Sequence, residues 1–243
     1  MTRRVALVTG GSRGIGAAIA RRLAGDGLDV AITYVKAADR AAEVVKEIEA
    51  AGGRGLSLRA EAADAAALVE AVEHTAGELG RLDVLVSNAG IASPGPLDGV
   101  TLEEVDHTLA VHARAAFVLA QAAARHLREG GRIINIGSNL AEHVPHPGWT
   151  VYAMSKSALI GLTKGLARDL GPRGITVNLV HPGSTDTDMN PADSPWADAE
   201  RELTALGRYC SPEDIAATVA HLAGEGGRNI TGASFAVDAG VTA

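Results

Sequence analysis

The sequence is poor in cysteine: Cys210 is the only one among 243 residues. A lone cysteine excludes an internal disulfide and any cysteine-rich metal site, so we expect no metal centre. No apolar run approaches the ~20 residues of a membrane-spanning helix, and the first apolar run is too short for a secretory signal. We therefore expect a cytoplasmic protein with no membrane partner.

The sequence also lacks an excess of positive charge, blocks of like charge and low-complexity tracts. Its net charge of −7 argues against a surface that binds nucleic acid or an anionic membrane. Hydrophobic residues make up 47% of the chain and charged residues 21%, a balance typical of a folded protein. We predict that residues 1–243 form one domain, because this length suits a single large α/β domain.

One stretch near the start organises the rest of the chain: the apolar run Val5–Val8 leads into a glycine-rich turn. An apolar run without alternation is typical of a strand buried on both faces of a parallel sheet. In the turn, Gly10 permits a sharp exit from the strand, Gly14 permits close approach of a ligand, and Gly16 permits tight packing of the next helix. The first amides of that helix suit a diphosphate. The alternative is an ordinary connection between a strand and a helix.

The spacing of this turn, Gly-x-x-x-Gly-x-Gly, resembles the cofactor loop of the short-chain dehydrogenase/reductase family. Four later motifs occur in the family's order: Asn88-Ala89-Gly90, Ser138 after an apolar strand, Tyr152 with Lys156, and Pro182-Gly183. The resemblance covers essentially the whole chain and is closest to 3-oxoacyl-(acyl-carrier-protein) reductases and related ketoreductases. It implies a Rossmann-type α/β fold, with a doubly wound, mostly parallel sheet of seven strands flanked by helices.

The residues after the second predicted strand bear on the choice of dinucleotide. A protein that binds NAD usually places a carboxylate there to hold the adenosine ribose, and this chain has none before Asp39. Lys36, together with Arg13 in the glycine turn, supplies cations where a 2′-phosphate would lie. We therefore predict NADPH (NADP+) rather than NADH as the cofactor. The alternative is that both cations are solvated surface charges.

The resemblance also implies which residues line the cofactor cleft. Two of them depart from the family pattern, because Glu61 stands where relatives usually have Asp and Thr185 where they often have Ile. The predicted cofactor-binding residues are Gly10, Ser12, Arg13, Gly14, Ile15, Gly16, Tyr34, Lys36, Glu61, Ala62, Asn88, Ala89, Gly90, Tyr152, Lys156, Pro182, Gly183, Thr185 and Thr187.

Tyr152 and Lys156 are four residues apart in a predicted helix, so both side chains leave from one face. A tyrosine hydroxyl has a pKa of about 10, and bringing it to 7 takes about 4 kcal/mol in favour of the phenolate. One ammonium at about 4 Å and an effective dielectric constant near 20 supplies about that much. We therefore expect Lys156 to lower the pKa of Tyr152 and activate it.

This chemistry and the resemblance together imply reduction of a ketone to a secondary alcohol. Tyr152 would protonate the developing alkoxide as general acid while a hydride attacks the carbonyl carbon. The resemblance implies that Ser138 hydrogen-bonds the same oxygen and that Lys156 also holds the nicotinamide ribose. The alternative is a protein that binds NADPH as a regulator or scaffold, with little turnover.

His112 stands where the family normally has Asn, in a helix predicted over residues 102–127. In relatives, the main-chain carbonyl of that Asn holds a water in a proton relay to the lysine. The imidazole would add a group that titrates near neutral pH at the mouth of the relay, so we include His112 among the candidate catalytic residues. The alternative is a packed neutral histidine with no part in the chemistry.

Two segments bear on the substrate. Residues 91–97 are expected to cross the top of the cleft, and residues 184–206 show no clear period and are predicted to form a mobile lid. Arg128, Arg132 and Arg173 offer a basic patch for an acidic carrier protein, but the lid is itself acidic. A 3-oxoacyl thioester and a small or cyclic ketone therefore both remain open.

A homotetramer is also expected. The helices predicted over residues 102–127 and 152–170 carry enough apolar or small residues to cover the sheet and also face a partner. The expected partners are thus copies of the same chain and a ketone substrate, with no nucleic acid.

Overall fold

The strands of the protein form one parallel sheet. A computed structural model describes residues 3–92 and 94–243, and within them the sheet has seven strands in the order β3-β2-β1-β4-β5-β6-β7. The strands are β1 (Val5–Val8), β2 (Asp29–Tyr34), β3 (Gly55–Arg59), β4 (Val84–Ser87), β5 (Arg132–Ile136), β6 (Thr176–Pro182) and β7 (Ser234–Val237). Every neighbouring pair is parallel. The predicted doubly wound sheet is confirmed, and it is parallel throughout rather than mostly so.

Helices cover both faces of this sheet. They are α1 (Gly14–Gly25), α2 (Ala38–Ala50), α3 (Ala65–Leu79), α4 (Leu102–Leu109), α5 (Ala115–Ala123), α6 (Thr150–Leu170), α7 (Ala197–Glu202) and α8 (Pro212–Ala223). Apolar residues of α1, α2 and α8 share one large core cluster, and those of α3, α5 and α6 share a second. Strand β1 serves both clusters: Ala6 and Val8 belong to the first, Val5 and Leu7 to the second. Two buried faces explain its unbroken apolar run.

The helix predicted over residues 102–127 is not continuous. It consists of α4, a turn of π-helix over Ala110–Arg114, and α5, which ends at Ala123. A π turn inserts an extra residue into the helical repeat, and such turns frequently mark functional sites. Here the inserted turn contains His112, which is buried. The apolar spacing alone did not predict this interruption.

The order of the strands reverses direction between β1 and β4, which makes the carboxyl ends of these two strands the switch point of the sheet. Ligands of open α/β sheets bind at such a point. The loops that follow the two strands are tied together by hydrogen bonds. The Thr9 hydroxyl accepts from the backbone N–H groups of Asn88 (3.0 Å) and Ala89 (3.1 Å), and the Asn88 amide donates to the carbonyls of Thr9 (2.9 Å) and Gly10 (3.3 Å).

Within the described ranges, no helix is long and apolar enough to cross a membrane.

Candidate active site

The glycine turn after β1 has the backbone that the sequence predicted. Gly10 and Gly14 have positive φ angles of 65° and 52°, which favour glycine. A Cβ atom on Gly16 would lie 2.3 Å from the Gly10 carbonyl oxygen and 2.6 Å from the Asn88 amide nitrogen. No side chain fits there, so Gly16 allows α1 to pack directly against the turn.

The first turn of α1 is left open for an anion. Arg13 precedes α1, but its side chain makes no capping hydrogen bond, and the first turn holds no acidic residue. The starts of α3, α4 and α8 are capped by the side chains of Asp64, Thr101 and Ser211, whereas those of α2, α6 and α7, like that of α1, have no side-chain cap. The first amides of α1 therefore suit the phosphates of a dinucleotide, as the sequence predicted.

Arg13 of the glycine turn and Arg40 share one carboxylate partner, Asp188. Asp188 pairs with Arg13 at 3.4 Å and makes a close ion pair with Arg40 on α2. These bonds, with that of Arg40 foremost, lower the pKa of the Asp188 carboxyl. Lys36 is exposed just after β2. Arg40 is thus a further cation beside the predicted ones, and the sequence analysis missed it.

The remaining predicted cofactor residues gather at the same edge of the sheet, because each follows a parallel strand. Tyr34 ends β2, the exposed Glu61 and the buried Ala62 follow β3, and Asn88-Ala89-Gly90 follows β4. Gly183, Thr185 and Thr187 follow Pro182, the last residue of β6. Thr187 reaches the glycine turn, since a Cβ atom on Gly14 would lie 3.2 Å from its Cγ2 atom. The structure therefore brings these residues together at the carboxyl edge of the sheet.

The three proposed catalytic side chains approach one another from β5 and α6. Ser138 is buried just after β5, and Tyr152 and Lys156 lie one turn apart on α6. The Lys156 ammonium is 4% exposed, donates to the Ile136 carbonyl at 3.0 Å, and lies 5.8 Å from the centre of the Tyr152 ring.

The predicted effect of Lys156 on Tyr152 is not what the structure shows. Burial raises the pKa of Tyr152, and the hydrogen bond to the Ser138 hydroxyl opposes this only in part. Burial also lowers the pKa of Lys156 to about 8. The expected activation took an ammonium about 4 Å from the phenol at an effective dielectric constant near 20 and left out the cost of desolvation, which is the largest effect on both groups. Tyr152 is therefore a protonated acid at neutral pH.

His112 links three segments of the site. Its Nε2 accepts from the Ile91 N–H at 3.0 Å, which places the ring proton on Nδ1. Nδ1 lies 2.7 Å from the Ser155 hydroxyl, which itself donates to the Tyr152 carbonyl at 2.6 Å. The His112 and Tyr152 rings make an edge contact with centres 5.4 Å apart. His112 thus ties the π turn to the loop after β4 and to the start of α6.

The expectation that His112 titrates near neutral pH is contradicted. Burial, with the Lys156 charge as a second cause, lowers the pKa of the imidazole to about 3. A neutral ring with both nitrogens hydrogen-bonded is not poised to exchange protons near pH 7. The arrangement suits a positioning residue.

Two other expectations change. The basic patch loses one member, because Arg132 is buried on the carbonyls of Gly130 and Gly131. Arg128 and Arg173 are exposed, and Arg173 also donates to the carbonyls of Ala124 and Leu127. The segment 184–206, predicted to be irregular, contains α7. The loop 91–97 includes Ser93, which lies outside the described residues.

Comparison with known proteins places this geometry in a family. A family model described as enoyl-(acyl carrier protein) reductase matches residues 10–242. A short-chain dehydrogenase from Burkholderia cenocepacia, solved in complex with NADP, is 58% identical, with 100% of this chain and 99% of that one covered and a TM-score of 0.98. The cyclic-di-GMP-binding biofilm dispersal mediator protein of Escherichia coli is 41% identical over 98% of this chain and 96% of its own. Versicolorin reductase of Emericella nidulans is 38% identical over 98% and 95%, respectively.

A parallel sheet with a glycine turn at its switch point defines a dinucleotide-binding fold. The chain belongs to the short-chain dehydrogenase/reductase family of oxidoreductases.

Sequence reasoning missed Arg40 and Ser155. A cation in the first turn of the helix after β2 is a signal that could have indicated Arg40. No local pattern indicates Ser155, since its role depends on His112, which is 43 residues away in the chain.

The low pKa of His112 makes a prediction about acid stability. Between pH 6.5 and pH 3 the unfolded chain protonates this histidine and the folded chain does not, so the free energy of unfolding falls as pH falls. His112 lowers the free energy of unfolding by at most about 1.4 kcal/mol for each pH unit in this range. We expect His112→Asn to lose less stability than the wild type between pH 6.5 and 4, measured by urea unfolding. Equal slopes in the two proteins would contradict the assignment.

Proposed function

We propose that the protein is an NADPH-dependent ketoreductase that converts a ketone to a secondary alcohol. The observation that carries the proposal is the convergence of Ser138, Tyr152 and Lys156 beside an uncapped helix N-terminus at the switch point of the sheet. Homologous structures solved with NADP and with NADPH support the cofactor. NADPH, when bound, supplies the hydride.

The side chains supply the proton and hold the charge. Tyr152 keeps its proton at neutral pH because burial raises its pKa, so it donates that proton to the carbonyl oxygen as this becomes an alkoxide. The Ser138 hydroxyl hydrogen-bonds the same oxygen and stabilises its developing charge. Lys156, whose ammonium lies 5.8 Å from the centre of the Tyr152 ring, holds the nicotinamide ribose. The protonated form of Tyr152 is the one that reduction requires.

The substrate we propose is a small or cyclic ketone rather than a carrier-bound one. Two of the three arginines expected to recognise an acidic carrier, Arg132 and Arg173, donate to backbone carbonyls, and Arg132 begins β5 at the edge of the sheet opposite the site. Residues 184–206, proposed as the substrate lid, expose Met189 and Trp196, which suit an apolar substrate. The relative named versicolorin reductase also accords with a cyclic ketone.

The assembly we propose is a cytoplasmic homotetramer. Phe117 on α5 and Met154 on α6 are 48% and 45% exposed, and Leu102 at the start of α4 is 78% exposed. These side chains would be covered by a second copy of the chain.

The second candidate is a binding protein with little turnover. It is favoured by the relative named for binding cyclic di-GMP and for mediating biofilm dispersal. The presence of all three proposed catalytic side chains argues for the enzyme, since function resides in the site.

The proposal is tested by NADPH oxidation at 340 nm with 3-oxoacyl thioesters, cyclic diketones and aryl ketones. We expect turnover of a cyclic or aryl ketone, and we expect Tyr152→Phe to reduce kcat at least about 100-fold because the general acid is removed. NADPH binding, followed by its fluorescence, should persist in the variant. If the wild type binds NADPH but does not oxidise it in the presence of any ketone in the panel, the result would favour the binding protein.

The two arginines that pair with Asp188 make a prediction about cofactor choice. Arg40→Ala should weaken NADPH binding about tenfold or more and leave NADH binding unchanged, because only NADPH carries the 2′-phosphate. Lys46→Ala removes one exposed cation from the same helix and is the matched control. Equal effects of Arg40→Ala on both cofactors would contradict the role of Arg40.

A further inference from the structure

His181 lies beneath the proposed catalytic serine and takes no part in the mechanism described above. It belongs to β6, immediately before Pro182, and is 1% exposed. Its Nδ1 accepts a hydrogen bond from the backbone N–H of Ser138 at 3.1 Å. The imidazole therefore contacts the residue whose hydroxyl faces the substrate oxygen in the proposed reaction.

The regular ladder between β5 and β6 ends just before Ser138. Its last bond comes from the Gly137 N–H, which donates to the Val180 carbonyl at 2.7 Å. Residue 182 is proline, so it has no N–H to donate to the Gly137 carbonyl, and the ladder goes no further. Beyond the ladder, Nδ1 of His181 is the acceptor for the buried N–H of Ser138. Gly137 makes room for the ring, since a Cβ atom there would lie 2.5 Å from Nδ1.

The hydrogen bond to Nδ1 fixes the tautomer of His181. A neutral imidazole that accepts at Nδ1 carries its proton on Nε2. Nε2 is buried and has no hydrogen-bond partner among the described residues, and it lies 3.9 Å from Oε1 of Glu142. Glu142 follows the short 3-10 turn Asn139–Ala141 that begins at Ser138. One imidazole thus faces both ends of the segment that carries the serine.

We infer that His181 is a positioning residue for Ser138: Nδ1 holds the serine backbone, and the charge of the Glu142 carboxylate, 3.9 Å from Nε2, favours the proton on that nitrogen. The charged groups around the ring are Glu142, Lys156 and Asp238. Burial lowers the pKa of His181, so the ring stays neutral at pH 7 and Nδ1 stays an acceptor. The catalytic part of this inference rests on the proposed function of Ser138.

Two variants separate the hydrogen bond from the packing. In His181→Asn, the amide oxygen takes the place of Nδ1 as acceptor, whereas His181→Leu fills similar space without one. We expect His181→Leu to lose about tenfold or more in kcat, with NADPH affinity within about twofold of wild type, because a buried donor loses its partner beside the reacting oxygen. We expect His181→Asn to stay within about threefold. Equal kcat values in the two variants would overturn the inference.

A second readout needs no turnover and separates this inference from the proposed function. In the wild type, 15N NMR of the imidazole should show the proton on Nε2, and Glu142→Gln, which removes the charge, should reduce that preference. The Ser138 amide should exchange with solvent faster in His181→Leu than in His181→Asn. If the tautomer and the Ser138 exchange rate change as expected but the protein reduces no ketone, the proposed function fails and the positioning of Ser138 stands. A proton on Nδ1, or unchanged exchange at Ser138, would overturn the positioning role itself.

Discussion

Four hydrogen bonds between the turn after β1 and the loop after β4 hold the site together. Thr9 and Asn88 exchange bonds in both directions, so the two loops cannot separate without exposing buried polar groups. The same contact requires glycine at position 16, because a side chain there would clash with the Gly10 carbonyl and the Asn88 amide. These hydrogen bonds fix the turn that leads into α1. The proposed catalytic residues lie at the same edge of the sheet.

Burial has opposite effects on the two titrating groups of the proposed reaction. It raises the pKa of Tyr152 and lowers that of Lys156, so at neutral pH the phenol keeps its proton and the ammonium keeps most of its charge. A proton donor beside a cation is what a developing alkoxide requires. The neutral His112 and its bond to Ser155 add rigidity around this pair without adding a further titrating group near pH 7.

The sequence predicted what depends on local pattern. The glycine spacing, the apolar strands and the turn of helix between Tyr152 and Lys156 each lie within a few residues, and together they gave the parallel fold and the edge at which the site forms. What could not be predicted depends on burial and on contacts between residues that are far apart in the sequence. The pKa of Tyr152 depends on how deeply the cleft buries it, the bond from His112 to Ser155 spans 43 residues, and the ion pair of Arg40 with Asp188 spans 148. The π turn at His112 also breaks a helix that the apolar spacing showed as continuous.

Transfer of a labelled hydride tests the central claim most directly. NADPH deuterated at its transferable position would be incubated with the protein and a cyclic ketone, and the product examined by mass spectrometry and NMR. The account predicts a secondary alcohol with one deuterium on the carbinol carbon and an unlabelled hydroxyl, because the carbon receives the hydride and Tyr152 supplies the proton. Labelled NADPH that stays bound and unoxidised, with the ketone unchanged, would contradict it.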